Sequence, residues 1–204
     1  MRFLLGFFLL SIVQGSIPET EHLLAFKAKE VTISSARWNA SDVFLDAKTS
    51  LWRSVVDSTL ISGRVISFFA DGSVSKCMPV QEGKKEGTVL TYFPDGRLKF
   101  SECYKRNKLH GEVRRWVLEE QYQLVAQLVY HEGKLHGEQR KWYASGELHQ
   151  LLHVENGQEQ GSQQAFRKNG ALYANYEARQ GRIFGLKRTQ LCFELDNEYV
   201  VYEQ

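Results

Sequence analysis

Cysteine and histidine are the side chains of this 204-residue chain best suited to nucleophilic or metal chemistry. The cysteines, Cys77, Cys103 and Cys192, are an odd number, whereas a secreted disulfide scaffold carries a denser and even set. At least one thiol is therefore unpaired. Little else in the sequence supports a nucleophilic cysteine.

The histidines do not form an obvious ligand set. His110 and His136 occupy equivalent positions of the repeat described below, where other copies carry Glu, Gln or Phe, and a metal site rarely tolerates that pattern. His149 and His153 are predicted to share one face of a strand, but four residues span about 13 Å, too far to chelate one ion. We expect both pairs to be solvated surface, with no metal and no cofactor. No H-E-x-x-H, G-x-S-x-G, Walker or Cys-x-x-Cys motif is present, so no enzymatic activity is expected.

The elements that would position any site are set by a repeat. Six glycines recur at steps of 24, 24, 26, 24 and 24 residues: Gly63, Gly87, Gly111, Gly137, Gly161 and Gly185. A second set trails the first by nine residues: Gly72, Gly96, Gly146 and Gly170. A period in the twenties is typical of a repeat architecture, and such arrays present a surface more often than they enclose a catalytic pocket.

Each repeat is predicted to be one β-hairpin. The fifth residue after the first glycine is aromatic in every complete copy: Phe68, Tyr92, Trp116, Trp142 and Phe166. β-Branched and aromatic residues favour a strand here, and Asp-Gly or Asn-Gly then supplies the positive φ of a tight turn. Apolar residues alternate with polar ones in the next strand, as at Leu98, Phe100 and Tyr104. A five-residue G-x-x-x-G turn leads to the next hairpin, and we expect the aromatic row and the leucine row to form the core.

Two details of the repeat carry predictions of their own. In the 26-residue step, two extra residues within 117–122 lengthen the hairpin loop, as a tolerated insertion or as a contact for a partner. Cys77 and Cys103 lie in equivalent strands of adjacent repeats, about 9.6 Å apart in a sheet of hairpins. A disulfide needs Cα atoms within about 7 Å, so we expect no bridge between them.

The pattern of glycines, aromatic residue and following leucine resembles the MORN-repeat variant found in tandem in many bacterial proteins. Residues 132–137, EGKLHG, and 141–148, KWYASGEL, are similar to it. Asn107 replaces one turn glycine, which asparagine tolerates because it also visits positive φ. The resemblance implies an all-β fold, an elongated twisted antiparallel meander sheet of tandem MORN-like β-hairpin repeats. It also implies a membrane-associated, scaffolding or protein-binding role, and some bacterial proteins with these repeats are labelled antitoxin components of toxin–antitoxin systems.

A single sheet cannot cover both of its faces, so some rings should be exposed and available for binding. Alternation places Phe93 and Tyr143 on the face opposite Tyr92 and Trp142. Basic residues outnumber acidic ones by twelve to eight between Gly83 and Lys141. They form either a solvated face or a weak site for acidic lipid headgroups, glycans or an acidic protein patch. The candidate binding surface comprises Trp116, Trp142, Tyr143, Phe93, Arg115 and Lys141.

The rest of the chain is predicted to comprise a leader, a cap and a tail. Arg2 precedes eleven apolar residues, which predicts a secretory signal peptide over residues 1–15, cleaved near Gly15. Residues 16–60 would form an N-terminal capping region, 61–193 about five repeats of period 24, and 194–204 a C-terminal tail. The mature protein would then be periplasmic or extracellular.

These features favour a non-enzymatic exported protein that acts as a protein-binding or envelope-associated scaffold module. Its expected partner is another protein, with a membrane surface as a further candidate, and no small-molecule substrate. Lys and Arg total 26 against 24 Asp and Glu, so charge gives no case for nucleic acid. The alternative is an antitoxin or immunity-type inhibitor of a toxin–antitoxin system, and an enzyme is the third hypothesis.

Overall fold

The computed structural model describes residues 34–119 and 121–186. The predicted signal peptide, the C-terminal tail and Cys192 lie outside these residues, as does the unit that follows Gly185. The domain boundaries given above remain predictions.

The described residues are organised almost entirely as β-strands, with one short 3₁₀ helix at Ala40–Asp42 and no α-helix. The strands are β1 Arg37–Asn39, β2 Val43–Asp46, β3 Leu51–Ser54, β4 Gly63–Phe68, β5 Val74–Gln81, β6 Lys84–Lys85, β7 Gly87–Tyr92, β8 Leu98–Lys105, β9 Lys108–Leu118, β10 Tyr122–His131, β11 Lys134–Leu135, β12 Gly137–Trp142, β13 Leu148–Glu155, β14 Gln158–Phe166, β15 Leu172–Arg179 and β16 Arg182–Leu186.

Fourteen of these strands form one sheet whose order follows the chain from β4 to β16, with the short β6 and β11 paired to β5 and β10. The predicted all-β array of successive hairpins is thereby confirmed. One ladder departs from the antiparallel meander, because β1 pairs with β4 in parallel. Strands β2 and β3 form a separate antiparallel pair.

The G-x-x-x-G segment is not the five-residue turn predicted from its glycines. Its first part is a two-residue turn such as Glu82-Gly83, closed by the pairing of Gln81 with Lys84. Both central residues have positive φ, 48° and 74°, as type I′ turns require. Asn107 occupies the second central position of the equivalent turn at φ 69°, which confirms the prediction made for it. Each unit therefore contains two hairpin turns.

Each type I′ turn is hydrogen-bonded to the strand residues that follow the type I′ turn of the repeat before it. The backbone N–H of Gly133 donates to the Leu109 carbonyl at 2.8 Å, and the Gly157 N–H donates to the Leu135 carbonyl at 2.8 Å. Asn107 makes the same bond to Lys85 at 3.0 Å. Each turn thus depends on the strand residues that directly follow the turn of the repeat before it.

A β-bulge recurs beside the aromatic position of every repeat. One residue of the second strand is skipped by the register: Ser75, Lys99, Val125, His149 and Tyr173. The aromatic residue then pairs directly with the apolar residue before the bulge, as Trp142 does with Leu148. A bulge reverses the side-chain alternation. Leu98 and Phe100, which pair with Tyr92 and Thr91, therefore lie on opposite faces, contrary to the predicted alternation.

The core lies elsewhere than the sequence predicts. None of the five repeat aromatics is buried, and Phe68 is 50% exposed, so the prediction of an aromatic core is wrong. The buried cluster consists of Val43, Ile61, Val65, Met78, Val80 and Val89, with Trp38, Trp52 and Tyr104 packed against it. Burial concentrates instead two residues after the repeat glycine, as at Val89, Gln139 and Gln163.

The two extra residues of the 26-residue step lengthen strands rather than a loop. Leu118 pairs directly with Tyr122, so only residues 119–121 connect β9 to β10, whereas residues 69–73 connect Phe68 to Val74. The Tyr122 hydroxyl donates to the Leu98 carbonyl at 3.0 Å, which fastens this tip to the neighbouring hairpin. No helix in the described residues is long and apolar enough to span a membrane.

Candidate binding groove

One row of residues runs straight across the middle of the sheet. Phe100 on β8 pairs with Arg115 on β9, Arg115 with Ala126 on β10, and Ala126 with Lys141 on β12. Directly paired residues share a face. The two cations therefore lie on one face, on either side of a single small residue.

This row lies in a groove of about 460 Å³. All six residues predicted as the candidate binding surface line it: Phe93, Arg115, Trp116, Lys141, Trp142 and Tyr143. The register of β12 places Lys141 and Trp142 on alternate faces, as the predicted separation of Trp142 from Tyr143 requires, and both Trp142 and Tyr143 are among the residues that line the groove. The groove combines an apolar floor, which includes Val113 and Leu128, with basic and aromatic walls.

Sequence reasoning missed the bulge residues that also line the groove, Lys99, Val125 and His149. Bulges redirect side chains, and here they bring three of the five skipped residues to the same face. Their offset from the turn glycine is regular, but their chemical types differ. No residue-type signal could therefore have revealed them.

Aromatic rings hold two of the cations. The Lys99 Nζ lies 5.6 Å from the Phe93 ring centre and 5.7 Å from that of Phe100. The Arg115 Cζ lies 5.7 Å from the Phe100 ring centre. Cation–π contacts use the face of a ring and leave the N–H donors of the cation available. Burial lowers the pKa of Lys141.

Tyr143 supports the groove wall more than it offers an exposed contact. Only 5% of its surface is exposed, and its hydroxyl donates to the Phe166 carbonyl at 2.9 Å. Its ring lies 4.5 Å from that of His149, whose Nε2 is 3.3 Å from the Tyr173 hydroxyl. His149 is itself 5% exposed, so the prediction that it is solvated surface is wrong. His153 lies instead beside Glu138, with Nε2 and Oε2 3.6 Å apart, so the two histidines do not share a face as predicted.

Trp116 forms the wall at the tip of the longest hairpin. Its ring stacks on Tyr122 with 6.4 Å between ring centres and 6° between planes. The Arg97 guanidinium lies 5.0 Å from the Tyr122 ring on the preceding hairpin. Tyr122 therefore links the Trp116 ring to Arg97 on the preceding hairpin.

His110 binds the turn of the next repeat. His110 Nδ1 accepts the backbone N–H of Glu132 at 3.4 Å, as the Glu86 carboxylate accepts that of Arg106 at 2.8 Å. This position caps the next type I′ turn, which explains why hydrogen-bond acceptors recur there. His131, which sequence reasoning overlooked, places its ring 5.0 Å from His110. In the ranges that the structure describes, no group of three or more His, Cys, Asp or Glu could hold a metal ion.

The two described cysteines are unbridged, Cys77 on β5 and Cys103 on β8 with β7 between them. This agrees with the spacing predicted from a sheet of hairpins. The Thr88 hydroxyl lies 3.5 Å from the Cys103 Sγ.

The family model described as MORN repeat variant matches residues 85–106 and 135–156. Two segments of the sheet are therefore similar to the MORN repeat variant. The matched MORN repeats lie on either side of the 26-residue step, the copy that lacks the glycine turn between its strands. A comparison with curated proteins finds no match.

Proposed function

We propose that this MORN-repeat chain is a protein-binding module and that the groove between β8 and β13 is its docking surface. MORN repeats favour a repeat-based binding module in general. The observation that carries the specific proposal is the convergence of two tryptophans and three cations on one groove of about 460 Å³. Tryptophan and arginine are enriched among the residues that dominate binding energy at protein interfaces.

The geometry also supports docking without large rearrangement. Trp116 and Trp142 are half-buried and are fixed by pairing with Leu124 and Leu148 on the adjacent strands. Rings that are already ordered lose little conformational entropy when a partner covers them. The proposed role requires no catalytic chemistry.

A capture experiment with matched variants tests this proposal. Immobilised wild-type protein, a Trp116→Ala/Trp142→Ala variant and a Phe68→Ala/Phe166→Ala variant are exposed to extract from the source cells. The control pair occupies the same repeat position but lies outside the groove. We expect partners to bind wild type and the control and to be lost from the groove variant. Equal capture by a folded groove variant, checked by circular dichroism, would refute the proposal.

We further propose that the protein is exported. The apolar segment after Arg2 supports export and an envelope-associated role. Mass spectrometry of the mature protein tests this, because cleavage after Gly15 leaves Ser16 as the first residue. A mature chain that retains Met1 and its apolar segment in the cytoplasmic fraction would contradict export.

A further inference from the structure

We propose that the face of the sheet opposite Arg115 and Lys141 binds a neutral β-1,4-linked glycan along its row of aromatic rings. The site comprises the rings of Trp116, Trp142 and Phe166. This inference goes beyond the proposed function, because the ligand is of another chemical class and the cations of the groove take no part. The strand register, the interval between the rings and the pairing of the neighbouring charges support it.

The strand register fixes the face on which the aromatic residues lie. Trp116 directly follows Arg115 on β9, and successive residues of a strand point to opposite faces. The same holds for Trp142 and Lys141 on β12. Each repeat aromatic pairs directly with one apolar residue and therefore shares its face. These pairs are Phe68–Val74, Tyr92–Leu98, Trp116–Leu124, Trp142–Leu148 and Phe166–Leu172, and none of the ten residues is buried.

The interval between successive rings limits the kind of polymer that can follow this aromatic row. Trp116, Trp142 and Phe166 lie on β9, β12 and β14, and one strand separates each from the next, so their backbones are about 9.6 Å apart. Side chains on one face of a peptide strand repeat every 6.7 Å or so, about two residues. An α-helix repeats every turn, at about 5.4 Å. Neither interval matches that of the rings, whereas an extended β-1,4-linked glycan presents the same face at every second sugar, over nearly the same distance.

The chemistry of the row also suits a sugar. In a β-linked glucopyranose the hydroxyl groups lie around the rim of the ring, and both flat faces present C–H groups. The π face of an aromatic ring carries negative charge density and attracts such hydrogens. A sugar can therefore pack its face on each ring while its hydroxyl groups stay available for hydrogen bonds.

A second row, two residues from the rings on the same face, offers those hydrogen bonds. Direct pairing carries it from β9 to β15 through Arg114, Gln127, Arg140, Leu151, Gln164 and Asn175. In the earlier repeats the same row consists of Ile66, Cys77, Leu90 and Ser101. Guanidinium and amide groups thus lie beside the last three rings, whereas mostly apolar side chains lie beside Phe68 and Tyr92. This contrast assigns the site to the last three rings.

The charged side chains beside the site are paired with one another. Arg114 forms an ion pair with Glu112 at 2.9 Å on β9. Arg140 forms the same pair with Glu138 at 2.5 Å on β12, and Arg179 with Glu177 at 2.6 Å on β15. Nucleic acids and acidic lipids are attracted by cations whose charge is not neutralised. Paired charges instead complement an uncharged ligand.

Strand twist sets the length of ligand that the site accepts. Neighbouring strands are rotated by about 20–25°, so successive rings face in progressively different directions. A glycan follows the row only if it twists with it, which favours a short site. Three rings at two-sugar intervals accommodate about six sugars.

Isothermal titration calorimetry with defined oligosaccharides tests the proposal on the full chain. Cellohexaose and chitohexaose are both β-1,4-linked and differ in their acetamido groups, so they distinguish a glucan from an N-acetylated glycan. Maltohexaose, which is α-1,4-linked and helical, is the negative control. We expect at least one β-linked hexasaccharide to bind roughly tenfold or more tightly than maltohexaose. It should exceed its own disaccharide by a similar factor, because a disaccharide covers a single ring.

Matched variants locate the site. Phe166→Ala removes one of the three rings and should weaken hexasaccharide binding roughly tenfold. Phe68→Ala removes the ring at the same repeat position outside the site and should change the affinity less than about twofold, as should Arg115→Gln on the opposite face. Trp142→Ala removes the central ring and should abolish binding, whereas Trp142→Phe should retain most of it.

Several outcomes would overturn the inference. They are equal affinity for α- and β-linked hexasaccharides, no binding of any, affinity that does not increase from two sugars to six, and equal weakening by folded Phe166→Ala and Phe68→Ala. Dimerisation in analytical ultracentrifugation that Phe166→Ala abolishes, without glycan binding, would assign the row to a second copy of the chain. Failure of the proposed function is measured separately, because Phe68→Ala/Phe166→Ala is expected to retain its protein partners.

Discussion

Two buried glutamines occupy the same position in successive repeats, and the same substitution should affect them differently. Gln139 and Gln163 each lie two residues after a repeat glycine, with 1% and 0% of their surfaces exposed. Earlier repeats carry valine there, at Val65 and Val89. Replacing each glutamine by valine is therefore compatible with the fold, and the comparison isolates their hydrogen bonds.

The Gln139 amide is fully used. Its Oε1 accepts the Val129 N–H at 2.9 Å, and its Nε2 donates to the Val129 and Gly137 carbonyls, each at 3.1 Å. In Gln139→Val the Val129 N–H loses this partner inside the sheet. Leaving a buried backbone donor unsatisfied costs about 1–3 kcal/mol, so we expect the free energy of unfolding to fall by about 2 kcal/mol.

The Gln163 amide is used on one side only. Its Nε2 donates to the His153 carbonyl at 2.6 Å and the Gly161 carbonyl at 3.3 Å, but its buried Oε1 has no hydrogen-bond partner. A third, longer bond runs from Nε2 to the Gln160 carbonyl at 3.5 Å. Gln163→Val loses the three donated bonds and also removes a buried unsatisfied oxygen, effects of similar size at about 1–3 kcal/mol. We expect a net change within about 1 kcal/mol.

Urea unfolding followed by tryptophan fluorescence measures both variants. Because repeat arrays can unfold in parts, amide exchange at Val129 provides a local measurement. Exchange at Val129 should accelerate in Gln139→Val and stay unchanged in Gln163→Val. Equal destabilisation of the two variants, or a larger loss in Gln163→Val, would refute the hydrogen-bond argument.

Three further predictions concern backbone, pH and thiols. A Cβ at Gly63, whose φ is 139°, would collide with the Ala36 carbonyl oxygen, whereas one at Gly96 meets nothing within 4 Å. We expect Gly63→Ala to destabilise the protein by about 2 kcal/mol more than Gly96→Ala in urea unfolding, since overpacking costs about 1–3 kcal/mol; equal losses would contradict the docking of β1. Burial, reinforced by a neighbouring carboxylate, raises the pKa of Tyr104 to about 12 from 10.0. The stability that depends on its protonated form is complete below pH 10.0 and is lost as pH rises towards 12, and Tyr104→Phe should reduce that alkaline loss in thermal unfolding; an unchanged pH profile would contradict this assignment. The cysteines of β5 and β8 should both react with Ellman's reagent in unfolded, unreduced protein, and a bridged pair would contradict the strand order.

The glycine period was enough to predict the hairpin array because its physical cause is local. All six repeat glycines have positive φ, which residues with a Cβ rarely adopt. The residue type alone therefore indicates the backbone conformation at these positions. The same reasoning correctly placed Asn107. It failed for Glu82, whose φ of 48° is imposed by the turn that it shares with Gly83 rather than by its own preference.

The candidate site was predictable in its members but not in its geometry. Aromatic and basic residues near Trp116 and Trp142 indicated a surface, and the groove contains all six of them. Their arrangement depends on bulges at Lys99, Val125 and His149, which have no common residue type. The burial of Tyr143 likewise depends on a bond to the next hairpin, a long-range contact that strand alternation does not encode.

The hydrogen bonds that join each turn to the repeat before it make the array directional, because every repeat donates backwards and accepts from the repeat that follows. Each unit offers at its margin the carbonyl acceptor that the following unit needs, as Leu135 does for Gly157. A duplicated stretch of 24 residues could therefore be inserted in register, since it would make the same backbone hydrogen bonds to the repeats on either side. The first unit has no predecessor of this kind, and the chain supplies one from Ile61, whose carbonyl accepts the Gly83 N–H at 2.8 Å, while the Gly83 carbonyl accepts the Trp52 N–H at 2.8 Å. Evolution can thus change the length of this protein by whole modules, provided that the segment which starts the series is kept.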